Sequence, residues 1–339
     1  MKAVGYRESL PISDAMSLID IELPDPSPTG HDLLVQVKAV SVNPVDTKVR
    51  IGTAPPAGET KILGWDASGV VLEVGSDVTL FKPGDEVWYA GSIVRPGTNA
   101  ELHLVDERIV GHKPASLGHA QAAAMPLTGI TAWELLFDRL GVLPGKGSSD
   151  QSLLVIGAAG GVGSILVQLA RRLTNMTVIG TASRKETAEW VHLLGAHHVI
   201  DHSKPLPEEL RKAGFANVTH VASLTQTDKH YAEIVEALSP QGKLALIDDP
   251  DPAAINIMQL KRKSISLHWE LMFTRSLFNT PDLLAQHRLL CEMAELVDAG
   301  LIRTTFSEHL GKINASNLKR AHALIESGAT KGKIVLEGF

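Results

Sequence analysis

Apolar residues in the first 125 positions come in short bursts separated by glycine and proline. The segments "DLLVQVKAVSV", "GVVLEVG", "DEVWYA" and "AELHLVD" have the length and spacing of strands. "FKPGDEVW" is a turn entering a strand, Pro83 fixing φ and Gly84 permitting the reversal. From Pro126 the pattern alternates. "TGITAWELLFDRL" has helical spacing, "PGKGSSD" is a polar loop, and "SLLVIG" is a continuous apolar run of the kind buried on both faces of a parallel sheet. Similar runs follow in "MTVIGTA", "HHVID", "VTHVASL", "KLALID" and "SISLHWELMF". Between them lie the helical patterns "VGSILVQLARRL", "KETAEWVHLLGA" and "HYAEIVEALSP". Strands and helices in this alternation predict a doubly wound parallel sheet in the order 3-2-1-4-5-6. After it, "PDLLAQHRLLCEMAELVDAG" and "ASNLKRAHALIESG" read as helices and "GKIVLEGF" as a last strand. The tail is expected to rejoin the first domain. The fold expected is therefore α/β: a mostly β domain over 1–125 and 274–339, and a dinucleotide-binding domain over 126–273.

Composition narrows the partners. A chain of 339 residues is longer than one core usually grows, in line with two domains. The net charge of −6 argues against nucleic acid and anionic membrane surfaces as partners. No run of apolar residues is long enough to span a bilayer. "MKAVGYRESLPISDAM" lacks the apolar core of a secretory signal and reads as a first strand, so the expected location is the cytoplasm. The one cysteine, Cys291, excludes an intrachain disulfide and any multi-cysteine zinc site, and its helical context predicts a core position. "SISLHWELMF" is apolar enough to need cover at a sheet edge, which predicts a homodimer.

The stretch with the most chemistry is "LLVIGAAGGVGSILVQLA". A buried strand runs straight into Gly157, Gly160, Gly161, Val162 and Gly163, and these open an amphipathic helix. Small residues there permit a tight turn and bring backbone N–H groups and the positive helix end to a pyrophosphate. At the end of the next strand an NAD-binding chain usually carries a carboxylate for the ribose hydroxyls. Here Ser183, Arg184 and Lys185 stand instead, a hydroxyl and two cations suited to a 2′-phosphate, so the cofactor expected is NADPH. His197, His198 and His202 cluster in "GAHHVIDH", but neighbours on a strand point to opposite faces, so no metal site is expected from them.

Five motifs in order, "SVNPVDTKVRIG", "ILGWDASGVVLEVGSDVTLFKPGDEVW", "AAAMPLTGITAWELL", "GAAGGVGSILVQLA" and "HALIESGATKGKIVL", give the chain a resemblance to the medium-chain dehydrogenase/reductase superfamily over essentially its whole length. Within it the chain resembles the quinone oxidoreductase branch, and closely the chains labelled zinc-type alcohol dehydrogenase-like. The resemblance implies a GroES-like β domain and a Rossmann domain. Where the zinc alcohol dehydrogenases place a cysteine and a His-Glu pair, this sequence has Asn43, Trp65 and Asp66, and the four-cysteine lobe is missing between Tyr89 and Leu104. Amide and indole do not ligate zinc, so no metal is expected.

The same resemblance assigns candidate roles. It brings Asn43 near the nicotinamide as an amide donor to the substrate oxygen, with Asp46 nearby and Lys48 or Arg50 as added positive charge. Trp65 either walls the pocket or packs in the core. Thr128 lies at the nicotinamide end or caps a helix. His202 stands where relatives place a tyrosine against the cofactor. Lys333 lies near the cofactor phosphate or is an ordinary exposed lysine. Simple alcohols and ketones call for a Lewis acid, whereas the hydride adducts of quinones and enones are delocalised anions that hydrogen-bond donors can stabilise. The activity expected is thus NADPH-dependent reduction of a quinone or α,β-unsaturated carbonyl. Two alternatives stay open: a zinc-type alcohol dehydrogenase, as the family label has it, and a low-turnover NADPH-binding sensor.

Overall fold

The computed structural model describes residues 1–145, 147 and 150–339. Part of the predicted "PGKGSSD" loop, at Lys146, Ser148 and Ser149, lies outside the described residues. The chain forms two compact units, Met1–Ile130 with Phe273–Phe339, and Thr131–Met272.

The first unit is the GroES-like domain. Its organising element is the strand Asp32–Val42, whose long apolar run is buried at most positions. This strand pairs antiparallel with Ala67–Val74, Leu102–Asp106 and Lys333–Glu337. Three strands share this partner because it is long: Leu102–Asp106 pairs with its first half, from Asp32 to Gln36, Lys333–Glu337 with its last part, from Ala39 to Val42, and Ala67–Val74 along most of its length. Glu86–Tyr89 and Val110–His112 extend the sheet on one side and Phe306–His309 on the other. The tail does return to this sheet, with Ile334 opposite Val42. Helix Ala285–Asp298 lies against Val110–His112 so closely that a Cβ on Gly111 would meet the Leu290 Cβ at 2.5 Å.

The second unit is the Rossmann domain. Ser152–Ile156, Thr177–Thr181, His198–Ile200, Val218–Ser223, Leu238–Leu246 and Ser266–Trp269 are its six strands in chain order. They are parallel and lie side by side as third, second, first, fourth, fifth and sixth. Leu154 on the first strand sits between Ile179 and Val221 of its neighbours, and all three are fully buried. Apolar side chains on both faces explain why these strands read as continuous apolar runs rather than alternating ones.

Two elements differ from their sequence patterns. "SISLHWELMF" yields only the short strand Ser266–Trp269, because the chain then turns inward to bury Glu270, Met272 and Phe273. "TGITAWELLFDRL" is not one α-helix: an α-helical part, Pro126–Trp133, passes into a π-helical turn, Glu134–Arg139. The division between the units falls after Ile130 rather than at Pro126, since the first turn of that helix is bonded into the first unit through Leu127. Among the described residues no helix is long and apolar enough to cross a membrane.

Candidate active site

A buried polar cluster sits at the end of the central strand of the first unit. Val42 ends that strand, and Asn43 opens the helix Pro44–Gly52, where Pro44 suits a first-turn position needing no N–H donor. The Asn43 side chain points to Asp66, its Nδ2 donating to Asp66 Oδ2 over 2.9 Å. Ser41 Oγ donates to the same oxygen over 2.8 Å, and the Leu127 N–H donates to Oδ1 over 2.8 Å. Lys333, first residue of the last strand, brings its Nζ within 3.1 Å of Asp66 Oδ2 and donates to Val42 O over 3.0 Å. It donates also to Asn43 Oδ1. Asp66 is 0% exposed and Lys333 3%. Burial pushes the Asp66 carboxyl up and the Lys333 ammonium down, and each opposes that shift in the other. Four donors converge on Asp66 and three acceptors surround Lys333, so hydrogen bonding favours the ionised pair.

Asp46 completes the group from the first turn of the helix. Its Oδ2 accepts from the Asn43 N–H over 2.7 Å, while its Oδ1 is buried without a hydrogen bond. Burial pushes this carboxyl up to about 7, against the lowering effect of the Asn43 N–H and of Lys333. Thr128 is buried, and its hydroxyl donates back to Met125 O over 3.2 Å instead of capping the helix. Of the two placements open to Trp65, the structure has the core one. The ring is 1% exposed, its N–H donates to Ser92 O over 3.2 Å, and Phe273 packs edge-on at 6.1 Å. Arg50 is likewise buried, spending its guanidinium on Leu10 O and Glu326, whereas Lys48 is exposed. Lys333 is not an exposed lysine, and its three N–H groups are all engaged inside the unit.

Zinc does not fit this donor set. Asn43 presents an amide already bonded at both ends, Trp65 offers no lone pair, and Asp66 Oδ2 is filled by three donors, one of them a cation. Among the described residues no group of three or more His, Cys, Asp or Glu is placed to hold a metal ion. The histidines of "GAHHVIDH" are separated in use: His197 Nδ1 accepts from the Val178 N–H, and His198 packs edge-on against Phe215. His202 is half-buried near His230, and burial lowers its basicity.

The residues of the second unit fit a dinucleotide. Gly157 follows the first strand with φ +80°, a conformation that disfavours a side chain, and its N–H donates to Thr181 Oγ1 over 3.2 Å. The Gly160 N–H then closes the turn onto Gly157 O over 3.1 Å, and helix Gly161–Leu173 begins. A Cβ on Gly163 would stand 2.4 Å from Gly157 O, so only glycine lets the helix start this close to the strand. Gly160, Gly161 and Val162 keep partial exposure at this positive helix end. Ser183, Arg184 and Lys185 are exposed at the end of the second strand, with Lys185 3.8 Å from Glu189.

Three features carry little sequence signal. For Asp66 it is one carboxylate in the mostly apolar stretch "ILGWDASGVV". Ser41 and the Leu127 N–H left no signal, being an ordinary strand serine and a backbone group. The third is a buried pair of carboxyls in the second unit, Glu134 and Glu270. Arg139 Nε donates to Glu270 over 2.8 Å and its Nη2 lies 3.8 Å from Glu134.

Comparison with known proteins agrees with this architecture. Residues 29–129 match the alcohol dehydrogenase GroES-like domain, and residues 194–336 match the zinc-binding dehydrogenase family. The zinc-type alcohol dehydrogenase-like protein of Staphylococcus epidermidis is 37% identical over 99% of both chains. The crystal structure of a putative zinc-dependent alcohol dehydrogenase from Rhizobium etli superposes with a TM-score of 0.95 at 60% identity, covering 100% of this chain and 98% of that one. Escherichia coli quinone oxidoreductase complexed with NADPH superposes with a TM-score of 0.83 at 25% identity, covering 99% and 100%. With a GroES-like unit, a Rossmann unit and end-to-end relatives of this kind, the chain is an oxidoreductase belonging to the medium-chain dehydrogenase/reductase superfamily, in its quinone oxidoreductase branch.

Proposed function

We propose that the protein is an NADPH-dependent reductase of quinones or α,β-unsaturated carbonyls that works without a metal ion. The observation that carries this reading is the Lys333 ammonium, which sits against Asn43 Oδ1 and Asp66 Oδ2 and so occupies the donors a divalent cation would need. Gly157, Gly160, Gly161, Val162 and Gly163 would hold the pyrophosphate through backbone N–H groups, and Ser183, Arg184 and Lys185 the 2′-phosphate. His202 would offer its ring to the sugar, and Thr128 would meet the nicotinamide end. When bound, the cofactor supplies a hydride that, with one proton, reduces a quinone to a hydroquinone or an enone to the saturated carbonyl, leaving NADP⁺. Asn43 has one N–H left after Asp66, and that N–H stabilises the oxyanion as it forms. Nothing among these groups is a dedicated proton donor, so water delivers the proton.

The same reading includes a homodimer. Among the described residues Ser266–Trp269 is bonded to Leu238–Leu246 on one side only, and Trp269 and Leu271 at its end are 55% and 52% exposed. An apolar edge of this kind is covered most simply by its own copy. Sedimentation as a monomer at micromolar concentration would contradict it.

Steady-state assays with NADPH and NADH against quinones, enones and simple alcohols, run beside metal analysis, test the activity. Quinone or enone reduction by metal-free protein is the expected result, and zinc-stimulated alcohol turnover alone would overturn it. Arg184→Ala combined with Lys185→Ala should raise KM for NADPH by about tenfold or more while leaving NADH unaffected. An equal rise for both would remove these residues from 2′-phosphate recognition.

A further inference from the structure

We infer that Lys333 and Asp66 are positioning residues that make Asn43 an obligate and polarised hydrogen-bond donor. The inference rests on the proposed role of Asn43 toward the substrate and adds what sets its direction. A primary amide is ambivalent: it can turn its oxygen or its nitrogen to a ligand. Here the choice is made by opposite charges at the two ends. Lys333 caps Oδ1, and Asp66 Oδ2 takes one Nδ2 proton over 2.9 Å. The remaining N–H is therefore the one polar group of this side chain still able to address a ligand.

The ammonium does more than hold the oxygen in place. A cation on an amide oxygen draws charge from nitrogen through the C–N bond, and the N–H becomes a stronger donor. A neutral donor strengthened this way suits a developing oxyanion, and the low-dielectric surroundings amplify the effect. The geometry resists rearrangement. Lys333 Nζ is fixed by Val42 O at 3.0 Å, and Asp66 by Ser41 Oγ and the Leu127 N–H, both at 2.8 Å. Through Leu127 the same carboxylate fixes the start of the helix that carries Thr128.

The test uses the full chain and three variants: Lys333→Met, Lys333→Arg, and Lys333→Met with Asp66→Asn. Lys333→Met alone leaves a buried carboxylate unpaired and is expected to fold poorly, whereas the double variant removes both charges and keeps the fold. In the double variant kcat should fall by about 10- to 100-fold while the Kd for NADPH stays within about threefold. The loss should be larger for enones, whose adduct concentrates charge on one oxygen, than for quinones of high reduction potential, and Lys333→Arg should restore part of it. A merely structural role would lower all acceptors by one factor; that result, or an unchanged kcat, overturns the inference. The ¹⁵N shift of the Asn43 side-chain amide gives a reading that needs no turnover. It should move upfield in the double variant, and an unmoved signal overturns the inference. If the wild-type protein reduces no quinone or enone, the proposed function fails on its own while the amide shift still decides the polarisation.

Discussion

Gly163 faces the carbonyl oxygen of Gly157 across a gap that no side chain can enter: a Cβ there would lie 2.4 Å from that oxygen and 2.6 Å from Ala158 Cα. Both obstacles are backbone, so neither can rotate away. The close approach keeps the first turn of helix Gly161–Leu173 directly beyond the strand Ser152–Ile156.

Gly163→Ala should therefore lower stability by about 1–3 kcal/mol, the usual cost of overpacking, and weaken NADPH binding by at least about tenfold. Isothermal titration calorimetry beside urea unfolding checks both. Unchanged affinity in a folded variant would take this turn out of cofactor binding.

Trp65 separates a packing role from a pocket role. Its ring is buried, its N–H is bonded to Ser92 O, and Phe273 lies on its edge. Trp65→Phe should cost about 1–3 kcal/mol, from lost volume and a Ser92 carbonyl left without its donor. KM and kcat for any accepted quinone should change by less than about threefold in the folded fraction. A large KM change with unaltered stability would return this residue to the substrate pocket.

Asp46 gives the first unit a dependence on pH. Burial raises its carboxyl from 3.8 to about 7, so between these values the folded state holds a proton that the unfolded chain has lost. The advantage of the folded state is complete below about pH 4 and is lost as pH rises through 7, a change of roughly 4 kcal/mol. Asp46→Asn should flatten the fall in unfolding free energy between pH 5 and 8 to about the level set by the remaining groups. Parallel pH profiles for the two proteins would show that Asp46 titrates normally.

Glu270 does the same in the second unit at higher pH. Burial first, and the neighbouring Glu134 second, push its carboxyl up to about 9, with Arg139 opposing. The sign is again that of a raised carboxyl: the stabilising contribution is complete below about 4.5, declines as pH rises, and is gone above about 9. Glu270→Gln keeps the shape without the charge, so its Tm should decline less than that of the wild type between about pH 5 and 9. An equal decline in both proteins would mean that Glu270 titrates normally.

Sequence by itself determined the β-rich and alternating halves, the six parallel strands and their order, the return of the tail to the first sheet, and the glycine turn. The elements and the glycine turn follow from local rules, namely side-chain periodicity, strands buried on both faces and the steric freedom of glycine, and the strand order from the doubly wound connections that such an alternation adopts. The end of the strand at Trp269, just before the buried Glu270, and the π-helical turn that begins at the buried Glu134 leave no such local signal. The sequence also marked Asn43, Asp46 and Lys333 as candidates, but not what they do to one another. Only the tertiary structure brought Ser41, Asn43, Asp66, Leu127 and Lys333 to one point, and only it took Trp65 into the core. The physical reason is that a buried charge is tolerable only with partners, and partners drawn from four separate segments of chain leave no periodic trace in any one of them.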